Sequence, residues 1–428
     1  MSFGLAIVLI LMFTFFLLRV PIWASLVFAS IPYFIINGIP LSAIPSYMTT
    51  GVMTSFVLIA FPLFTLSGRL LNVSGITKRL WDFADINVGW IRGGLGHVNV
   101  LASMIFAGMS GSAVADLGAL GPIEIKGMTD KGYDMEFSVG ITLASSTIGP
   151  IIPPSTSVII YAVVANASVA KLFLGGIVPG VLMGVSLMIM VYFMSKNRNY
   201  AVRKFPSLKE WLIGLKDVSL AILSPVIMFL GMLGGIFTPT EAAAVLVAYA
   251  LFLGAVVYRE LSWKSFLNEL KETARLVGNV YAILGGALMF GLILSRENVG
   301  DALVNYIGSS QLSPVLVVSM LAVLILILGC FIEVTAMMIL ILPVLMPVVH
   351  HLGIDVTYFG VVFIMAAVYG ILTPPFGLGL FIMSGMTGLP FKKTVKATAP
   401  FIIPLVATLF LVLLVPQFIT FVPNLFAK

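Results

Sequence analysis

Long stretches of this chain carry almost no charge, and each is close to the roughly 20 apolar residues that a helix needs to cross a bilayer. They occupy residues 3–19, 21–38, 52–73, 137–165, 172–194, 217–237, 240–258, 276–295, 357–388 and 394–420. Hydrophobic residues make up 60% of the chain and charged residues 9%, against about 25% charged in a soluble domain. A water-soluble globule needs a polar shell that this sequence cannot supply, so lipid is the solvent for most of the surface. The fold class that follows is an all-α polytopic membrane protein.

The net charge of +6 then reads as Lys and Arg held in cytoplasmic loops rather than as a nucleic-acid surface. No Gly-Lys dipeptide occurs, so the chain lacks a P-loop and with it a route to nucleotide-driven pumping. Cys330 is the one cysteine; no disulfide within the chain is possible, and a packed thiol is the expected state. His97, His350 and His351 show no metal-ligand spacing. No nucleophile–base pairing points to an enzyme.

Two further apolar stretches, about 93–127 and 313–350, are interrupted in the middle by Gly, Ser or Pro. Read as re-entrant hairpins, each enters and leaves on one side. With the N-terminus outside, this layout places all but three of the 23 Lys and Arg on the cytoplasmic side. The exceptions are Lys171, Arg296 and Lys428. Counting either hairpin as a single crossing destroys that asymmetry. The stretch from Met1 to Arg19 lacks a basic start and a small-residue cleavage pattern, so it reads as a retained first helix and not as a signal peptide. Ser262–Arg275 and 76–92 are amphipathic and are expected to lie in the membrane interface as arm helices.

Displaced by 221 residues, the sequence falls on itself without a gap. Gly108 meets Gly329, Pro122 meets Pro343, Gly132 meets Gly353, Gly149 meets Gly370, and Pro153-Pro154 meets Pro374-Pro375. Gly and Pro set backbone shape, which makes these coincidences more informative than matches between apolar residues. The division expected is a first repeat over 1–207, a linker over 208–221 and a second repeat over 222–428. An odd number of crossings between the hairpins makes the repeats antiparallel. Inverted repeats with broken helices are a signature of secondary transporters.

The breaks hold the chemistry. The first hairpin carries Gly108 to Asp116, and the span after it is broken at Ser145 to Ser157; the counterparts are Gly329 to Thr335 and Gly370 to Gly377. A double proline in mid-span removes amide donors and frees carbonyls, which is tolerable in a membrane only beside protein, water or an ion. Carbonyl and hydroxyl oxygens suit Na⁺, while half-helix N-termini suit a carboxylate. Asp116 and Glu333 lie at membrane depth and are candidates for coupling, or alternatively for capping half-helices; Thr156, Ser157 and Thr335 are candidate substrate contacts. If protons drive the cycle, Asp116 and Glu333 are the residues to carry them. Glu124, two residues from Lys126, reads as an interfacial charge. Thr238, Pro239 and Glu241 fit a capping box with Pro at the first helical position.

The run Ala107 to Gly121, the break Gly149 to Ser157, the stretch Leu174 to Gly180 and the segment Gly370 to Gly379 resemble the large membrane subunit of the tripartite ATP-independent periplasmic (TRAP) transporters. The resemblance covers essentially the whole chain. It implies an elevator-type carrier of the bacterial inner membrane that couples Na⁺ to uptake of organic acids, commonly a C4-dicarboxylate or sialic acid, with no resident cofactor. It implies two partners, a small four-helix membrane subunit, not fused here, and a periplasmic substrate-binding protein. It also implies one Na⁺ site at Ser110, Gly111, Ser112, Gly149, Pro150 and Ser155. A second would lie at Gly329, Glu333, Gly370, Thr373 and Gly377, where the second hairpin lacks the Ser-x-Ser of the first.

Overall fold

The computed structural model describes residues 2–198, 200, 202–309 and 312–426; Lys428, expected outside the membrane, lies beyond them. Among these residues the regular structure is helical throughout. Seven helices are long and apolar enough to cross a membrane. Two shorter apolar helices, Phe3–Leu17 and Ile22–Ile36, open the chain.

The interrupted stretches take the expected forms. The first hairpin descends through Gly94–Ser110 and turns back through Ala113–Ala119 at an angle of 119°, continuing into Gly121–Thr129. The first broken span consists of Met135–Ser146 and Thr156–Val164. In the second half the stretch expected as a hairpin is Pro314–Gly329 and Val334–His351, the latter itself one of the seven long apolar helices, and the broken span is Val356–Gly370 and Leu378–Thr387. The opening halves of both broken spans sit inside the protein: every residue from Phe137 to Ser146 and from Thr357 to Gly370 is buried, and the Ser and Thr hydroxyls of the first bond to main-chain carbonyls or to Asn99.

Packing repeats with the halves exchanged. Met135–Ser146 packs on Phe391–Leu414, and its counterpart Val356–Gly370 packs on Val169–Met194. In the outer group, Ile22–Ile36 packs on Trp263–Arg296, and Pro239–Phe252 packs on Ala60–Leu71. The hairpins and broken spans thus form an inner group flanked by this outer one.

One segment differs from expectation. The amphipathic stretch from Ser262 is not a separate interfacial helix: Trp263–Arg296 is one helix of 34 residues, because no Gly or Pro separates its amphipathic start from the apolar run that follows. Ahead of 76–92 the chain kinks at Gly75, whose φ is +73°, and Thr77–Val88 follows as a helix of its own. Residues 208–221, which stand between the two expected repeats, open the helix Leu208–Leu233, nucleated by a capping box of Ser207 and Glu210. The capping box at Thr238 and Glu241 forms with Pro239 as the first helical residue.

Gly329 and Gly370 bring the second hairpin and second broken span into backbone contact, and a Cβ on Gly370 would overlap the Gly329 main chain. A G370A variant is therefore expected to lose about 1–3 kcal/mol from overpacking. G385A, whose Cβ meets open space, should be neutral or slightly stabilising. Thermal unfolding of the purified variants in detergent compares them; equal melting for G370A and wild type would contradict the close approach.

Candidate functional site

The hairpin tips and the breaks meet because each end of a half-helix must find hydrogen-bond partners that lipid cannot provide. In the first half the tip closes on Gly111, whose φ of +61° is costly for any residue with a Cβ. Its carbonyl accepts from the Thr156 amide at 3.3 Å and from the Thr156 hydroxyl at 3.0 Å. Ser112 and Ser155 cap the two returning half-helices, accepting from the amides of Ala115 and Val158. The Ser155 hydroxyl also donates to the Pro150 carbonyl at 2.6 Å, closing the loop around the cis Pro153–Pro154 bond.

Asp116 returns toward this junction. Its Oδ1 accepts from the Ser110 hydroxyl, and its Oδ2 has no donor among the described residues although the side chain is buried. A Cβ on Gly149 would lie 2.6 Å from that oxygen, so the broken span passes directly beside the carboxylate. Ser110, Gly111, Ser112, Gly149, Pro150 and Ser155 are thus gathered around one tip, with Asp116 among them. A carboxylate oxygen, hydroxyls and a break in the helix are the oxygen donors a hard monovalent cation uses.

The second half repeats the clasp with different side chains. Gly377, at φ +56°, donates its amide to the Cys330 carbonyl at 2.9 Å, and Pro374–Pro375 is again cis. The Thr373 hydroxyl is turned back to the Tyr369 carbonyl. Gly329, Gly370, Thr373 and Gly377 therefore meet. Glu333 is exposed at the tip, where it caps Val334–His351 by accepting from the amides of Thr335 at 2.8 Å and Ala336 at 3.1 Å.

Between the two tips lies a cavity of about 610 Å³. The opening residues of all four half-helices line it: Ser112 and Ala115, Thr156, Glu333 with Thr335 and Ala336, and Leu378. The amides of Ala115, Thr156, Thr335 and Ala336 are taken by Ser112, Gly111 and Glu333, but each helix N-terminus still carries a partial positive charge, so their convergence makes a field that suits an anion. Thr156 and Thr335 face this space, whereas Ser157 is buried behind it.

One residue overturns the sequence reading. Glu124 is not an interfacial charge but is 1% exposed. It accepts from Asn99 Nδ2 at 2.8 Å, while Asn99 also bonds Thr142 and Ser145, and Ser145 accepts from Ser103. On helix Gly121–Thr129, residues two apart face different sides, so Lys126 is exposed while Glu124 turns inward. A signal was present in the sequence: Asn99 and Ser103 stand four apart, and Thr142 and Ser145 three apart, in otherwise apolar runs. At the 221-residue offset the corresponding residues are Met320, Leu324, Leu345, Phe363 and Ala366, so this buried polar network belongs to the first half alone.

The model of the family described as "Tripartite ATP-independent periplasmic transporter, DctM component" matches residues 9–418. The sialic acid TRAP transporter large permease protein SiaM of Vibrio cholerae is 42% identical over 95% of this chain and 95% of its own length. The C4-dicarboxylate TRAP transporter large permease protein DctM of Pseudomonas aeruginosa is 36% identical over 86% of both chains. Among solved structures, the YdaH transporter of Alcanivorax borkumensis superposes with a TM-score of 0.62 at 15% identity, covering 88% of this chain and 87% of that one. That likeness is one of fold.

Truncating Glu124 to Ala leaves one of the two Asn99 Nδ2 hydrogens without an acceptor in the core and is expected to cost about 1–3 kcal/mol. E124Q keeps an acceptor for that amide and should cost less. Melting temperatures of the purified variants test the order; E124A melting with wild type would show that the network is not as buried as its geometry requires.

Proposed function

The chain belongs to the family of the tripartite ATP-independent periplasmic transporter DctM component, and on that premise we propose that it conducts organic acids across the bacterial inner membrane in symport with Na⁺. It is a multi-pass membrane permease and not an enzyme. The cargo class is sialic acid or a C4-dicarboxylate, the substrates named for the similar large permeases. The expected partners are a small four-helix membrane subunit and a periplasmic protein that delivers the substrate, with the N-terminus of this chain on the periplasmic side.

The observation that carries this reading is the convergence of four half-helix N-termini on one cavity. They offer a positive field to a carboxylate, while the oxygens around each tip offer a place for Na⁺. The first ion site gathers Asp116 with Ser110, Gly111, Ser112, Gly149, Pro150 and Ser155; the second uses Gly329, Gly370, Thr373 and Gly377, with Glu333 at its margin. Coupling follows physically: a cation at each clasp neutralises local negative charge and fixes the helix ends that face the cargo. The exchanged packing of the two halves supports a pair of inverted repeats, 1–207 and 222–428. On this reading the inner group moves as an elevator against the outer group. Glu333, already anchored by two amides, is better suited to holding its helix than to ferrying a proton with Asp116.

Proteoliposomes holding the complete transporter, supplied with loaded binding protein, should accumulate substrate only under an inward Na⁺ gradient. Accumulation driven by a pH gradient alone, with Na⁺ equal on both sides, would overturn the coupling.

A further inference from the structure

The lining of the central cavity includes three residues with formal charge, Arg69, Glu269 and Glu333. Glu333 is engaged by the helix it caps. Among the described residues that line the cavity, Arg69 is the one cation. It stands in the last turn of Ala60–Leu71, ahead of the kink at Gly75. Its Nε donates to Glu269 Oε2 at 2.8 Å, Glu269 coming from the long helix Trp263–Arg296. The Arg69 side chain is 32% exposed and that of Glu269 13%, so the guanidinium is the more accessible partner. Asn72, Asn279 and Thr65 share the same wall.

Both members of this pair belong to the outer group of helices, opposite the hairpin tips. Nothing in the repeat demands the pair, because the residues at the related offsets are Phe290 and Met48. A guanidinium also suits the task better than an ammonium: it is permanently charged and presents a planar fork that matches a carboxylate. The bond to Glu269 runs through Nε, along one edge of that fork.

We propose that Arg69 is the anion contact of the cavity and that Glu269 is an internal stand-in for a substrate carboxylate. An organic acid entering between the tips takes up the guanidinium in competition with Glu269, and is bracketed by half-helix N-termini on one wall and Arg69 on the other. This assignment rests on the reading above that the cargo is an organic acid. It places charge recognition on the outer group, so that the bound acid itself bridges the two groups of helices.

The test is uptake kinetics of radiolabelled N-acetylneuraminate and succinate by the complete transporter in proteoliposomes under a Na⁺ gradient. R69Q should raise KM roughly tenfold or more for whichever acid is carried, the worth of a charge-assisted hydrogen bond. R69K should fall between, and E269Q alone should lower KM. The double variant R69Q/E269Q separates recognition from a mere helix clamp: its KM should stay raised although no acid is left unpaired. An R69Q KM within about twofold of wild type, or a double variant restored to the wild-type KM, would overturn the assignment while leaving Na⁺-coupled uptake intact. Wild-type protein that carries neither acid would contradict the functional reading and this assignment with it. If R69Q does not yield monodisperse protein, R69K decides, with an unchanged KM counting against the proposal.

Discussion

The whole arrangement depends on one requirement: backbone amides and carbonyls freed at mid-membrane must find partners without water. The chain meets it by setting a hairpin tip against each broken span. Gly111 accepts from Thr156 on one side, and Cys330 accepts from Gly377 on the other. Once these clasps exist, four half-helix N-termini are held near each other, and the cavity between them acquires a fixed positive field that needs no reorganisation when an anion arrives. Rigidity and recognition have the same origin here, because the bonds that make the breaks tolerable also hold the positive ends of the half-helices toward the cavity.

The two halves share this scaffold and differ in chemistry. The first tip is built from Ser110, Gly111 and Ser112 with Asp116 behind it, and the same half buries a second acid, Glu124. The second tip has Phe331 in the place of Ser110 and Glu333 in the place of Ser112, and Phe331 packs against Phe376 with ring centroids 5.5 Å apart. Burying two carboxylates without a basic partner is costly, which points to the first clasp as the place where a cation has most to stabilise. The Arg69–Glu269 pair adds a further asymmetry on the opposite wall of the cavity.

How much of this was legible in the sequence follows the range of the forces involved. The breaks at 147–155 and 371–377 could be read because Gly and Pro act on their own backbone, and their recurrence at one offset identified which breaks belong together. The gathering of Ser110, Gly149 and Ser155 was implied by the family resemblance and not by these local forces. Glu124 could not be placed from its neighbours in sequence, since Lys126 only looked like a partner; helix geometry turns the two apart, and Asn99 and Thr142 reach Glu124 from other elements. Helix Trp263–Arg296 was read as two pieces because amphipathicity changes at 275 while nothing in the backbone breaks there. Arg69 was read only as a loop charge, because its pairing with Glu269 spans 200 residues.

The direct measurement is equilibrium binding of radioactive sodium to the purified chain, comparing wild type with D116N. Saturable Na⁺ binding by the wild type, with part of the bound Na⁺ lost in a D116N variant that retains the wild-type melting temperature, is the expected result. Absence of saturable Na⁺ binding by folded wild-type protein, or binding unchanged in D116N, would contradict an ion site at the first clasp.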